Sequence, residues 1–261
     1  METPLRVAVA AIISPKGTVE SYSELLNYLS NKTNRPVELV QRRTYMEVND
    51  LIAQGKVDLA FVCTSAYVVG SKTFGMELLA APQINGETTY RSYLIVPFDS
   101  PAQTISDLRN KVFAFTDPIS LTGRAYPTAL VQDLGSTPEE FFSRTFFTYS
   151  HDEAIYAVAN GLADGASIDN LVYEYAIARD PSLLQKVRLI HQSPPFGIPP
   201  VVVNPTIRPQ IKAELQNILF EMNEDVVGQN ALDVIGIEKF VPINDESYAS
   251  VRLLMKVVHL P

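Results

Sequence analysis

Cysteine and tryptophan are nearly missing from this 261-residue chain, which has one cysteine and no tryptophan. The single cysteine, Cys63, excludes an internal disulfide, and its place in the apolar run 59–63 predicts a small, buried hydrophobic side chain. No pair of His or Cys residues has the spacing of metal ligands, so we expect neither a metal nor a cofactor. Long hydrophobic runs are missing as well, since no apolar stretch reaches the roughly 18 residues that a membrane helix requires.

Positive charge is in short supply, with 21 Lys and Arg residues against 29 Asp and Glu residues and a net charge of -8. This balance argues against a general nucleic-acid-binding protein, whose affinity comes largely from a basic face. It does not exclude a small anion, because local N–H groups outweigh a distant net charge. A hydrophobic fraction of 46% with 19% charged residues is ordinary for a well-cored protein of one large or two medium domains.

The sequence also opens without a secretory signal. Met1-Glu2-Thr3-Pro4 leads directly into the strand-like run 5–10, with no basic segment and no cleavage motif. Taken alone, this start favours either a cytoplasmic protein or one whose signal has been removed.

One pattern of residue types occurs twice in the chain, in residues 44–58 and again in residues 150–164. Each copy begins with a hydroxyl residue, Thr44 in the first and Ser150 in the second, followed three positions later by Glu. This pattern predicts a capping box at the start of a helix. An amphipathic run, a Gly and an apolar strand then follow in both copies, so each copy predicts a helix, a turn and a strand.

The repeat predicts two equivalent α/β lobes whose helix N-termini lie on facing walls of a cleft. Free N–H groups at such helix starts bind anions. Tyr45 and His151 occupy the same position in the two copies. We therefore expect both side chains at the cleft.

Strand-like and helix-like segments alternate along the chain, which favours an α/β fold with parallel sheets and helices on both faces. The strand candidates are residues 5–13, 36–42, 58–64, 92–97, 111–116, 144–149, 164–168, 187–191 and 200–204. The helix candidates are residues 21–31, 44–54, 104–110, 121–134, 150–161, 170–178, 208–223 and 246–258.

Two extended segments, residues 90–97 and 194–203, fall outside this alternation. Prolines exclude a helix in the second segment but allow an edge or crossing strand. We interpret both as hinge strands that join two lobes. The first lobe would consist of residues 1–95 and 200–261 and the second of residues 96–199, with a ligand cleft that closes by hinge motion.

Several short motifs carry a family resemblance through their order and spacing. They are Tyr45, Asp58-Leu59-Ala60-Phe61-Val62, Ser65-Ala66-Tyr67-Val68, Tyr90-Arg91-Ser92, Asp117-Pro118-Ile119-Ser120-Leu121-Thr122-Gly123, Ser150-His151-Asp152 and Ser193-Pro194-Pro195. Over nearly its whole length the chain resembles the phosphonate, phosphite and phosphate-binding family of periplasmic solute-binding proteins, in the type II class. The resemblance implies a two-lobed α/β fold in which each lobe is a mainly parallel sheet flanked by helices, joined by two hinge strands. It also implies a binding protein rather than an enzyme.

In that family a hydroxyl-rich loop, a histidine at a helix start and two tyrosines from the opposite lobe bind the phosphorus oxyanion. The resemblance nominates as ligand-binding residues Tyr45, Tyr90, Ser120, Thr122 and His151, with Leu121 and Gly123 in the same loop. The middle loop position is commonly a hydroxyl residue in the family and is Leu121 here. A carboxylate near the second crossing pairs with the ligand amine in some relatives, whereas this chain has Ile198-Pro199-Pro200. These departures favour phosphate, phosphite or a simple phosphonate over an amine-bearing ligand.

The chemistry of these residues agrees with that assignment. A tetrahedral oxyanion needs donors that converge from several directions, and hydroxyls, backbone N–H groups and an imidazole N–H supply them. Gly123 allows close approach of the backbone. A helix N-terminus disfavours a cation, so His151 is expected to be neutral, with one donor and one acceptor nitrogen.

Structural interpretations of the same residues stay open from the sequence alone. Ser120 and Thr122 could simply cap a helix. Tyr45 and Tyr90 could be half-buried packing residues.

Three further side chains are candidates for the cleft. Ser65 and Tyr67 follow a strand and open a helix, so they either line the cleft or pack within the first lobe. Asp169 is the nearest remaining carboxylate in the sequence. It either faces solvent or accepts a proton from a protonated ligand.

The resemblance implies a periplasmic or extracytoplasmic monomer that passes a small phosphorus oxyanion to an ABC permease. A second interpretation is an extracytoplasmic sensor domain of a signalling protein such as a histidine kinase, because segment 246–258 predicts a helix that could continue into a linker. A remote third is a hydrolase built on Ser120, His151 and Asp169. Against it, the chain has no Gly-x-Ser-x-Gly elbow and no Walker-type phosphate loop.

Overall fold

A computed structural model describes residues 3–258 of the protein. Thirteen strands lie within that range: β1 Leu5–Val9, β2 Val37–Val40, β3 Leu59–Phe61, β4 Glu77–Gln83, β5 Thr89–Tyr90, β6 Ser92–Pro97, β7 Val112–Phe115, β8 Arg144–Phe147, β9 Gly165–Asp169, β10 Val187–Gln192, β11 Phe196–Gly197, β12 Val201–Val203 and β13 Lys239–Val241. The same range contains ten α-helices: α1 Pro15–Thr33, α2 Tyr45–Ala53, α3 Thr64–Phe74, α4 Tyr126–Asp133, α5 Pro138–Phe141, α6 His151–Ala159, α7 Asn170–Arg179, α8 Pro209–Phe220, α9 Val226–Val234 and α10 Ala249–Val258.

Most of these elements agree with the sequence-based expectation. Each predicted strand and helix overlaps an observed element, although segment 104–110 forms only the short 3-10 helix Ile105–Leu108. Strand β4 was not predicted. It contains Ala80, Ala81 and Pro82, which have low strand propensity, and it becomes a strand because β12 and β13 pair with it on either side.

The chain divides into two units, each built around its own sheet. Of the described residues, the first unit contains 3–11, 15–89 and 197–249, and the second contains 12–14, 90–196 and 250–258. The first unit's sheet has the strand order β13-β4-β12-β3-β1-β2, and the second unit's sheet has the order β10-β6-β9-β7-β8. Strands β5 and β11, where the chain passes from one unit to the other, form a separate two-stranded sheet.

The expectation of mainly parallel sheets is wrong. In the first sheet β1 pairs in parallel with β2 and β3, but β12 runs antiparallel to β3 and to β4, and β13 antiparallel to β4. In the second sheet β7 pairs in parallel with β8 and β9, while β6 runs antiparallel to β9 and β10. Helical crossovers connect the parallel strands, whereas β6 and β12 follow directly after the passages between units and enter each sheet from the opposite direction.

The unit boundaries differ from the predicted lobes 1–95 with 200–261 and 96–199. Strand β6 pairs with β9 and β10, so the first passage precedes Tyr90 instead of following residue 95. Helix α10 belongs to the second unit from residue 250 onward, although it was assigned to the first lobe. Residues 259–261 of that assignment lie outside the described residues.

Alternating side chains of the second sheet fill two separate cores. On β6, Leu94 and Val96 pack in a cluster with Phe113 and Phe141, whereas Ile95 packs in the other cluster with helix α6 residue Ile155. Successive strand residues point to opposite faces, so this sheet is covered on both sides. Within residues 3–258, none of the helices combines the length and the hydropathy that a membrane crossing requires.

Candidate functional site

Helix α2 of the first unit begins as the repeat predicted. The Glu47 backbone N–H donates to Thr44 Oγ1 at 3.3 Å, and the Thr44 N–H donates to the Glu47 carboxylate at 2.9 Å, which confirms the capping box. These hydrogen bonds hold the pKa of Glu47 below its usual value, so its carboxylate is charged. The closed box occupies the Glu47 N–H, so this helix start has one donor fewer to offer an anion. Tyr45, fully buried at the first helical position, is the candidate that remains here.

Ser65 and Tyr67 lie buried on helix α3 of the same unit. Asn49 of α2 donates through Nδ2 to the Ala66 carbonyl at 2.9 Å, which joins the helix of Tyr45 to the helix of these two residues. The Tyr67 hydroxyl donates to Asp245 Oδ1 at 2.6 Å. That bond occupies the hydroxyl proton of Tyr67, and it favours the packing interpretation of this side chain.

Tyr90 is the last residue of β5 and the first residue of the second unit, and it is 2% exposed. The resemblance had placed it with Tyr45, on the lobe opposite the hydroxyl-rich loop. The structure instead assigns it to the unit that carries this loop. Its burial agrees with either a ligand contact or a packing role.

The loop Ser120–Gly123 lies after strand β7 and opens a helix. Ser120 Oγ accepts the Gly123 N–H at 3.0 Å, so Ser120 does cap the helix, yet its hydroxyl proton can still be donated. Leu121 is fully buried, and it begins a turn of π-helix that spans Leu121–Ala125. Thr122 is 1% exposed, and its Oγ1 has no hydrogen-bond partner within the described chain. Capping therefore accounts for Ser120 but not for Thr122.

Gly123 is required for a reason other than the predicted approach to an anion. A Cβ at this position would lie 1.8 Å from Thr116 Oγ1 and 2.7 Å from Thr116 Cγ2. Thr116 stands at the end of β7, and its backbone N–H donates to the Gly123 carbonyl at 3.3 Å. The absent side chain thus lets the loop pack directly on the strand that precedes it.

Two hydroxyls from the neighbouring strands β6 and β9 hydrogen-bond to the backbone of the loop Ser120–Gly123. Ser92 Oγ on β6 donates to the Thr122 carbonyl at 2.8 Å, and Ser167 Oγ on β9 donates to the same oxygen at 2.7 Å. A carbonyl oxygen has two lone pairs, so both bonds can form together. The Thr122 carbonyl is therefore held by the sheet. The sequence analysis named Ser92 only as part of the motif Tyr90-Arg91-Ser92, without a role, and did not name Ser167.

His151 begins helix α6 and is 1% exposed. The Asp169 backbone N–H donates to His151 Nδ1 at 3.0 Å, the one hydrogen bond that the ring makes among the described residues. Burial lowers the pKa of His151 from 6.5 to about 3, so the ring is neutral near pH 7. A neutral ring that accepts at Nδ1 carries its proton on Nε2. The sequence predicted one donor and one acceptor nitrogen on this ring, and the structure makes Nδ1 the acceptor and Nε2 the donor.

Asp169 ends strand β9 and is 3% exposed, so the interpretation that it faces solvent is wrong. Its Oδ1 accepts the Leu171 N–H at 2.7 Å and caps helix α7. Burial raises the pKa of its carboxyl from 3.8 to about 7, against the opposing effect of the hydrogen bonds from Leu171 and Val172. The carboxyl can therefore hold a proton near neutral pH.

Ser150 differs from its counterpart Thr44. The predicted capping box is absent, because the Ser150 side chain accepts no N–H of the first turn of α6. Its Oγ has no hydrogen-bond partner in the part of the chain that the structure describes. The sequence named the motif Ser150-His151-Asp152 but predicted only a cap for the serine, so this free hydroxyl was missed.

The second unit therefore joins most of the predicted site residues. The loop 120–123 is bound to Ser167 of β9, the same strand ends at Asp169, and Asp169 orients His151. This arrangement offers hydroxyl protons and one imidazole N–H without a Lys or Arg in the network. Within residues 3–258 there is no group of three or more His, Cys, Asp and Glu side chains that could hold a metal ion.

Comparison with known proteins decides the family. The sequence profile of a family described as ABC transporter, phosphonate, periplasmic substrate-binding protein matches residues 7–248. The chain belongs to this family. A phosphate-import protein PhnD from Mycolicibacterium smegmatis is 32% identical over 183 residues, which cover 65% of this chain and 57% of that relative. The match thus spans little more than half of the relative's length.

Two solved structures confirm the predicted type II periplasmic-binding-protein fold for this member of the phosphonate-binding family. A binding protein component of an ABC phosphonate transporter from Pseudomonas aeruginosa superposes with a TM-score of 0.93 at 22% identity, covering 99% of this chain and 87% of that one. PhnD1 from Prochlorococcus marinus in complex with methylphosphonate superposes with a TM-score of 0.88 at 17% identity, covering 98% of each chain. The family is one of binding proteins for transport.

Proposed function

We propose that this protein captures a small phosphorus oxyanion, namely phosphate, phosphite or a simple phosphonate, and delivers it to an ABC importer outside the cytoplasm. The observation that carries the proposal is the neutral, buried His151, whose Nε2–H is free to donate while Nδ1 accepts from Asp169. The family match supports the same function.

The donors of the second unit suit an oxyanion. Ser120 and Thr122 add hydroxyl protons to the imidazole N–H, and the start of α6 adds the positive end of a helix dipole. Each hydrogen bond to a charged acceptor contributes roughly 1.5–3 kcal/mol. Four or five would give roughly micromolar affinity after the ordering cost, since 1 µM corresponds to about 8 kcal/mol.

Tyr45 of the first unit and Tyr90 complete the ligand-binding set in this proposal, and the protein performs no chemistry on the ligand. Asp169, with a pKa raised to about 7, accepts a hydrogen bond from a protonated oxygen of the oxyanion when it is ionised and donates one when it is protonated. A monomer is sufficient for this function.

Isothermal titration calorimetry tests the proposal with phosphate, phosphite, methylphosphonate, aminoethylphosphonate and sulfate as separate ligands. We expect heat from at least one phosphorus oxyanion and a loss of more than about 1.5 kcal/mol of its binding free energy in His151→Ala. His191→Ala is the matched control, because His191 lies in the same unit with Nε2 on the Tyr126 hydroxyl at 2.8 Å. Absence of binding to every phosphorus oxyanion would refute the ligand class.

A further inference from the structure

The start of helix α6 contains a buried hydroxyl that the fold does not use. Ser150 occupies the N-cap position and is 2% exposed. Its Oγ neither caps the helix nor meets any other hydrogen-bond partner between residues 3 and 258. Buried polar groups without a partner are costly and rare in native proteins, so this hydroxyl calls for an explanation.

The backbone on both sides of Ser150 is fixed. Thr148 Oγ1 donates to the Ser150 carbonyl at 2.8 Å, and the His151 N–H donates to the Ile12 carbonyl at 2.9 Å. Tyr149, which directly precedes Ser150, has a φ of 61°, in the left-handed region. Its N–H donates to the Thr116 carbonyl at 2.7 Å. A non-glycine residue in this region is uncommon, and such residues cluster at functional sites. The Ser150 hydroxyl is therefore held at one place by its neighbours while it stays unpaired.

The first copy of the repeat shows what a structural serine or threonine does at this position. Thr44 accepts the Glu47 N–H and closes the capping box. Ser150 has Glu153 at the same spacing, yet the box stays open. An ordinary cap thus fails to account for Ser150 even though the chain supplies every residue that a cap needs.

The buried hydroxyls of Thr116 and Thr122, both in the second unit, also have no hydrogen-bond partner in the described chain. Thr116 Oγ1 lies against the backbone of Gly123, where a Cβ would come within 1.8 Å of it. Thr122 and Ser150 differ from Thr116, which follows strand β7, in their place in the fold. Each stands at a helix start, and the second of these helices begins with the free Nε2–H of His151.

On the basis of the proposed function, we propose that Ser150 is a further ligand-binding residue, whose hydroxyl donates a hydrogen bond to the phosphorus oxyanion beside Thr122 and His151. The anion then occupies the place of a cap at the start of α6, where the helix dipole favours negative charge. The Thr44 hydroxyl donates its proton to the Glu47 carboxylate at 2.9 Å, whereas the Ser150 hydroxyl has no partner among residues 3–258, so the serine proton is available to the ligand.

The test compares Ser150→Ala with Thr44→Ala and the wild type, with inorganic phosphate, phosphite and methylphosphonate as probes. Calorimetry measures affinity, and differential scanning fluorimetry measures the thermal midpoint without ligand. We expect Ser150→Ala to bind about tenfold or more weakly, the effect of losing one hydrogen bond to a charged group, with its ligand-free midpoint within about 1 °C of wild type. Thr44→Ala, which removes a working cap, is expected to lower the ligand-free midpoint by about 2–4 °C.

The outcomes separate the two proposals. If the wild type binds a probe and Ser150→Ala binds it with the same affinity, the proposed role of Ser150 is overturned and the proposed function is left intact. A fall in the ligand-free midpoint of Ser150→Ala equal to that of Thr44→Ala shows that the hydroxyl caps the helix and also overturns it. A wild-type protein that binds none of the three probes overturns both proposals.

Discussion

Asp169→Asn is expected to change how the stability of the protein depends on pH. The carboxyl has a pKa of about 7 in the folded protein against 3.8 in its ordinary state, because burial disfavours its charge and Glu174 nearby adds to the effect. Between these values the folded protein keeps the proton and the unfolded chain loses it. The stability that this carboxyl contributes is therefore complete below pH 3.8 and is lost as the pH rises through 7.

His151 acts in the opposite direction over an overlapping range. Its pKa is about 3 in the folded protein against 6.5 ordinarily, so the unfolded chain binds more protons between these values. Its contribution is complete above pH 6.5 and is lost as the pH falls toward 3. From about pH 4 to pH 6.5 the two contributions oppose each other, each with a slope of about 1.4 kcal/mol per pH unit.

The free energy of unfolding, from urea titrations at pH 4.5, 5.5, 6.5 and 7.5, measures the effect. The Asn side chain keeps the oxygen that accepts the Leu171 N–H, so the cap of α7 is retained. The difference in stability between Asp169→Asn and wild type should grow by about 1.4 kcal/mol per pH unit up to about pH 6.5 and level off near pH 7, for a total of about 3 kcal/mol between pH 4.5 and 7.5. For His151→Gln, the stability relative to wild type should change with pH in the opposite direction. A difference that stays constant with pH would show that the carboxyl titrates alike in the folded and unfolded states and refute the reasoning.

Two further predictions concern the loop that carries Thr122. Gly123→Ala should destabilise the protein by about 1–3 kcal/mol through overpacking against Thr116, and Thr116→Ala should restore part of the loss in the double variant, as measured by urea unfolding; equal stability of Gly123→Ala and wild type would contradict the contact. Ser92→Ala and Ser167→Ala should each have a small effect on oxyanion affinity, because the other hydroxyl still bonds the Thr122 carbonyl, whereas the double variant should lose more than the sum of the two. Strict additivity would show that the hydroxyls do not share this role.

The sequence predicted local features well because their causes are local. The capping box of Thr44 needs only residues 44–47, and the structure contains it. The neutral state of His151 followed from its place at a helix start, and burial gives the same result. Buried Cys63 likewise followed from its apolar neighbours.

The features that the sequence could not predict depend on distant contacts. Ser150 has the same pattern as Thr44, but at α6 the His151 N–H is bonded to Ile12, and Asp152 Oδ1 accepts the Ser14 N–H at 2.9 Å. A segment some 140 residues away in sequence thus contacts the first turn of this helix, and a local sequence pattern cannot predict that contact. The antiparallel direction of β6 and β12 could not be predicted either, because it depends on the side from which the chain enters each sheet.

The interleaving of the two units has a consequence for how the protein is made. Among the described residues, the first unit needs 197–249 and the second needs 250–258 from helix α10, so neither is a continuous fragment of the chain. During synthesis on the ribosome, neither unit can acquire its complete set of contacts until most of the chain has emerged. A fragment of residues 90–196 expressed alone would lack the packing of Val251 and Val258, and we expect it to be less protected against proteolysis than the same residues in the whole chain.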